Sequence, residues 1–147
     1  MRSCELLIEH AESLDLSKVK AMPTVCLLVL PLQLDRIELE KLVCDCLSAG
    51  VVFFAIWGER SDDIEDEIDF ILEGAGDSQV HVPTTSHSDE SAEDTANFVV
   101  NGAYLDDGHF RVLAVVGDGD YEREDLVAFL RKRCGELGAV SANGQPQ

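Results

Sequence analysis

The sequence predicts an α/β fold in which a mainly parallel sheet is covered on both faces by helices. Two observations carry this. Thr24–Leu32 (TVCLLVLPL), Val51–Trp57 (VVFFAIW) and Phe110–Val116 (FRVLAVV) are nearly continuous apolar runs. Runs of this length, rich in β-branched and aromatic residues, suit strands buried on both faces, as in parallel sheets. Each run is followed by a segment with apolar residues at helical spacing, so strands and helices alternate. With short connections and right-handed crossovers, that alternation gives a three-layer sandwich of the flavodoxin/Rossmann-like kind. Four strands are expected, or five if the N-terminal LLIE is one. The four are expected in the order second, first, third, fourth.

Along the chain, Leu7, Ile8, Ala11 and Leu14 suit a short amphipathic helix over Cys4–Leu14, with an edge strand as the alternative. Pro31 fits the end of the first strand, since proline donates nothing to a ladder. Asp35 and Glu38 form a capping-box pattern, with Asp in place of Ser or Thr, for a helix running to about Ser48. Leu39, Leu42, Val43, Cys46 and Leu47 should face the sheet, and Gly50 is placed to stop the helix. After Val51–Trp57 and Gly58, a helix carries one narrow apolar stripe of Ile64, Ile68, Ile71 and Leu72. Gly74–Ala75–Gly76 should end it.

Gln79–Thr84 alternates and reads as a short strand ended near Pro83, with Thr85–Ser88 as a polar loop. Ser88 is expected to cap a third helix with Ala92, Ala96, Val99, Val100 and Ala103 inward. A turn at Leu105–His109 leads to the last strand. The final helix is expected from about Tyr121 to Leu137, with Leu126, Val127, Leu130, Cys134 and Leu137 inward. Residues 1–140 read as a single domain and 141–147 as a disordered tail.

The net charge is −18 over 147 residues, and it is unevenly placed. Glu59 to Thr95 holds thirteen acids against one base, Arg60. Nucleic acid is disfavoured as a ligand because phosphate binding needs clustered Lys and Arg. An anionic membrane surface is disfavoured on the same ground. A basic protein would be attracted. The N-terminus lacks the pattern of a secretory signal, and no run reaches the roughly 18 apolar residues that span a bilayer. A cytoplasmic location is expected. The five cysteines show no disulfide-framework spacing, and all five are expected as buried reduced thiols.

Sites in open parallel sheets form beyond the carboxyl ends of the strands. The first such loop, PLQLDR, has no glycine and cannot wrap a phosphate as a dinucleotide-binding or P-loop turn does. Gly117–Asp120 (GDGD) carries Asp118 and Asp120, whose hard oxygens suit Mg²⁺. It superficially resembles the DxD motif of haloacid-dehalogenase-type phosphatases, but it follows the last strand, not the first, and no lysine and acidic pair completes the set. A tight turn in which Asp120 caps the last helix is the favoured reading. His81 and His87, with Asp89 and Glu90, form a second candidate for metal or acid–base work; Thr84, Thr85 and Ser86 could supply a nucleophile, but no GxSxG elbow surrounds them. Trp57 either caps the core or anchors a protein contact.

Phe54, Trp57–Gly58, Asp62–Ile68 and Val82–Ser91 with Phe98 resemble a family of small uncharacterised bacterial proteins. The resemblance covers the middle third of the chain. It implies a bacterial origin and a shared role for Thr84–Glu90, and it supplies no activity.

The function expected from these readings is that of a small acidic binding protein that docks on a basic protein partner. Toxin neutralisation of the immunity or antitoxin kind is one form of it. The expected surface is Trp57, Glu59, Asp62, Asp63, Asp66, Asp69 and His87, with no cofactor. The alternative is a metal-dependent hydrolase or phosphoryl-transfer enzyme that holds Mg²⁺ at Asp118 and Asp120, with His87 nearby.

Overall fold

Side-chain parity along the apolar runs fixes the layers. In the computed structural model, which describes residues 2–75, 81–117 and 121–142, five parallel strands form one sheet. They are β1 (Arg2–His10), β2 (Thr24–Val29), β3 (Val51–Trp57), β4 (Thr84–His87) and β5 (Gly108–Val116). The helices are α1 (Arg36–Ser48), α2 (Ser61–Ala75), α3 (Ala92–Asn101) and α4 (Tyr121–Ala142). On one face, Cys26, Leu28, Phe54, Ile56, Leu113 and Val115 pack against Leu39, Leu42 and Val43 of α1 and Ile68 and Ile71 of α2. The alternate residues Val25, Leu27, Ala55, Val112 and Ala114 pack against Val99 and Val100 of α3 and Leu126 and Leu130 of α4. Both sets are buried, which is why these strands read as continuous apolar runs.

The order is β1-β5-β2-β3-β4. This corrects the expected order: β2 lies between β3 and β5, not between β3 and β4. The connection through α3 therefore carries the chain from β4 at one edge past β3 and β2 to β5. Each step from β2 to β3 to β4 moves outward, so β4 is an edge strand.

The N-terminal segment is a strand, not a helix. Cys4, Leu6 and Ile8 lean on the α3–α4 face and Leu7 on the other, so period two prevails over the helical spacing of 7, 8, 11 and 14. Arg111, 3% exposed on β5, holds this end together. It donates to Glu5 of β1 at 3.1 Å, to the Lys20 carbonyl at 2.6 Å and to Thr24 Oγ1 at 3.4 Å. Arg2 donates to the carbonyls of Val100 and Tyr104, taking up acceptors at the end of α3.

The cysteine expectation is corrected as well. Cys4 of β1 and Cys134 of α4 form a disulfide with Cα atoms 5.3 Å apart, and Cys44 is exposed. Only Cys26 and Cys46 are buried free thiols. Their contact and their burial push the Cys26 thiol well up from its usual range.

Local signals at α1 hold as expected. Asp35 accepts from Glu38 N at 2.8 Å, and Glu38 Oε1 accepts from Asp35 N at 2.9 Å, a complete capping box. Gly50 has φ +100°, and a Cβ there would meet the Met22 carbonyl oxygen at 2.2 Å, so only glycine fits after this helix. Three other boundaries move. β4 is Thr84–His87, not Gln79–Thr84, of which residues 79 and 80 lie outside the described residues. α3 is capped by Ser91, which accepts from Asp94 N at 3.1 Å, not by Ser88. α4 continues to Ala142, past the expected end at Leu137; 143–147 lie outside the described residues.

Candidate functional site

The carboxyl ends of β3 and β4, with α2 beside them, gather most of the residues that the sequence singled out. The chain leaves β3 through Gly58 at φ +124°, where a Cβ would press on Leu30 Cβ at 3.0 Å. Arg60 follows at φ +67°, and α2 begins at Ser61. Ile68 and Ile71 are buried, with Ile64 and Leu72 half-buried beside them. That stripe is the one the sequence predicted, and it fixes where the carboxylates fall.

They fall on two flanks. On the inner flank, Asp62, Glu65 and Asp69 are three and four residues apart and run along β4. Thr84 Oγ1 lies 2.9 Å from Glu65 Oε2 and 2.6 Å from Asp69 Oδ1, and Ser86 Oγ donates to Asp62 Oδ1. On the outer flank, Asp63, Asp66, Glu67 and Glu73 are exposed. Asp63 pairs with Arg60 at 3.1 Å, and both side chains are largely in solvent, so the pair contributes little. Phe70, 58% exposed, sits among these acids with the Arg36 guanidinium 5.1 Å from its ring centre.

β4 alternates, so Thr85 and His87 point to the α3 side. Thr85 Oγ1 lies 2.8 Å from His87 Nε2, and Glu90 Oε2 lies 2.8 Å from Nδ1. A neutral imidazole satisfies both contacts, with Nδ1–H donating to Glu90 and Nε2 accepting from the threonine hydroxyl. The ring is buried and tilted against Phe98, centroids 5.0 Å apart. Trp57, 7% exposed, donates its Nε1–H to the Glu90 carbonyl at 2.9 Å. Its indole thus belongs to the core and fixes the β4–α3 turn; the exposed aromatic on α2 is Phe70.

Beyond these strand ends lies an open depression of about 410 Å³ bordered by Trp57, Glu59, Asp89, Glu90 and Asp125. Four carboxylates border it, which suits a cationic group. Asp118 and Asp120 lie outside the described residues, and His81 is exposed ahead of β4. Among the described residues, no cluster of three or more His, Cys, Asp or Glu side chains could hold a metal ion.

A family model described as a domain of unknown function (DUF7684) matches residues 6–133, from β1 into α4. The chain belongs to the DUF7684 family. The match takes in all the strand-end residues described above, so the α2 acids, Thr84–His87 and Glu90 lie within the DUF7684 domain itself. No curated protein and no solved structure matches the chain.

The sequence had singled out His87 with Glu90, and Asp62 with Asp69. It missed Thr85 as the partner of His87 and Thr84 as the partner of Asp69. The available signal was the alternation in TTSH, which places hydroxyls on both faces of a strand. Phe70, between Asp69 and Ile71, lies off the Ile64–Ile68–Ile71 stripe, and that offset marks it as outward.

Proposed function

We propose that this DUF7684 protein is an acidic docking protein that binds a basic protein partner through its α2 side. The observation that supports this is the outer flank of α2, where Asp63, Asp66, Glu67 and Glu73 stand in solvent around the exposed Phe70. Excess like charge on one helix face does not favour the helix, since only the first-turn acids gain from its dipole. It does raise the encounter rate with a cationic surface and orients it. Neutralisation of a basic toxin in a bacterial cytoplasm is one form this takes. No helix among the described residues is long and apolar enough to cross a membrane. The test is charge reversal. A basic protein retained by the wild-type chain from its host should be lost with Asp63→Lys, Asp66→Lys and Glu67→Lys together and should elute with salt. Retention indifferent to reversal and to salt overturns the reading.

A hydrolytic reading has one observation in its favour, the Thr85–His87–Glu90 hydrogen-bond chain, which has the order hydroxyl, imidazole, carboxylate. It predicts cleavage of p-nitrophenyl acetate that is lost in Thr85→Val. In its metal-assisted form, it predicts Mg²⁺-dependent cleavage of p-nitrophenyl phosphate that is lost in Asp118→Asn.

A further inference from the structure

We propose that the outer edge of β4 is the docking strand of this protein. It takes up, as a sixth strand, an extended segment of the partner with Lys or Arg at alternate positions and apolar residues between them. The proposal rests on the docking reading and gives it a mode of recognition.

Among the described residues, β4 pairs with β3 only. Phe54 N donates to the Pro83 carbonyl at 3.0 Å and Gly58 N to the His87 carbonyl at 3.4 Å, so these positions face inward. In a parallel ladder the alternate residues face the other way, which leaves the N–H and C=O of Thr84 and Ser86 directed at the free edge. Sheet edges are commonly blunted by Lys, Pro or a bulge. Thr84–Thr85–Ser86–His87 has no Lys or Pro, and its register with β3 is continuous.

The inner-flank acids suit this edge. Thr84 marks the level of Glu65 and Asp69, and Ser86 marks the level of Asp62. These levels are two residues apart on one face, or roughly 6.6 Å along a strand. An added strand, about 4.8 Å outside β4, repeats that spacing at every second side chain. Basic residues at i and i+2 would therefore meet Glu65 with Asp69, and then Asp62. Each carboxylate has about four acceptor sites, so a hydroxyl from β4 leaves room for an ammonium or guanidinium. The opposite face at this edge offers Thr85 and the half-buried Phe98, whose ring lies 5.8 Å from that of Phe53, and this is where the intervening apolar residue would rest. A second copy of this chain would bring the same acids against themselves, so the edge rejects self-pairing while it admits a basic strand.

The experiment uses the full chain and two hexapeptides of equal charge, one alternating Lys and Val and one with three Lys followed by three Val. Calorimetric titration should show the alternating peptide binding at least tenfold tighter. N-methylation of one alternate set of its amides should abolish that advantage, and methylation of the other set should leave it. Asp62→Asn with Asp69→Asn should weaken the alternating peptide more than the block peptide. Ser86→Pro removes an N–H that points away from β3 and takes no part in that ladder, and it should remove the advantage while circular dichroism shows the fold kept. Equal binding of both peptides, insensitive to methylation, overturns the proposal and leaves docking by charge alone. Failure of both peptides to bind also overturns it, and the docking reading is then judged on its own by the charge reversal at Asp63, Asp66 and Glu67.

Discussion

Replacing Thr84 by Val tests whether the inner-flank acids hold the edge strand. The side chain keeps its branching and loses only its donor. One hydroxyl proton serves two acceptors, Asp69 at 2.6 Å and Glu65 at 2.9 Å, so one strong bond is lost at a time. A hydrogen bond to a charged group contributes about 1.5–3 kcal/mol net. Both acids are partly exposed and regain water, which puts the loss at the lower end. Glu65 and Asp69 are also like charges at i and i+4, whose repulsion costs a few tenths of a kcal/mol once the hydroxyl between them is gone. The expected destabilisation is about 1–2 kcal/mol. With a urea slope of about 2 kcal/mol per molar, mid-range for a small domain, the midpoint should fall by roughly 0.5–1 M. Amide exchange should quicken in β4 before it does in β2, since only four residues pair β4 to β3. The outer-flank control, Asp66→Asn, should stay within about 0.5 kcal/mol. If Thr84→Val leaves the midpoint where it was, the hydroxyl contacts do not hold β4, and the division of α2 into two flanks is wrong.

Other outcomes follow from the same structure. Cys4 and Cys134 are 130 residues apart, and in a chain-entropy account a cross-link of that span contributes about 5 kcal/mol. Reduction, or Cys4→Ser with Cys134→Ser, should then lower the urea midpoint by well over 1 M, and an unchanged midpoint contradicts the bridge. Disulfides are rare in the cytosol, so thiol trapping in intact cells followed by mass spectrometry tests the proposed compartment: a bridged chain argues against it. Under native oxidised conditions iodoacetamide should modify Cys44 alone, because Cys26 and Cys46 are buried and the Cys26 thiol is pushed up; all three should react after unfolding. Glu5→Ala leaves the buried Arg111 without its carboxylate, but Glu5 itself is half-exposed, so a loss of about 1–3 kcal/mol is expected in denaturation, below the 3–5 of a fully buried pair. Arg111→Met with Glu5→Gln should cost less than Glu5→Ala alone.

The two-face-buried strands were legible because their pattern has no competitor: β3 begins and ends where VVFFAIW does, and β2 and β5 differ from expectation only at their ends. α1 was legible through Asp35 and Glu38. The edge strands were not. β1 is half-buried, and over so few residues its Leu and Ile positions satisfy helical spacing as well as alternation. β4 is built of Thr, Thr, Ser and His, which read as a loop; they form a strand because hydroxyls on one face meet carboxylates of α2 and those on the other meet His87. Ser88 and Ser91 both precede a helix-like run, but α3 starts at Ala92, so Ser91 is the residue whose hydroxyl meets a first-turn N–H, that of Asp94. The disulfide was hidden with β1, since a pair 130 residues apart is visible only once the first strand is known to lie beside the last helix. The acid spacing 62, 65, 69 and the neighbouring spacing 63, 66 or 67, 70 are equivalent in sequence. Only the position of β4 decides which faces inward.

The most direct test of the docking account is one binding measurement on two charge-matched variants. One carries Asp63→Asn, Asp66→Asn and Glu67→Gln on the outer flank, and the other carries Asp62→Asn, Glu65→Gln and Asp69→Asn on the inner flank. Titrated with the same basic partner across a salt series, both should bind more weakly than wild type and with a shallower salt dependence. Affinities and salt slopes equal to wild type in both would mean that the acidity of α2 has no part in recognition.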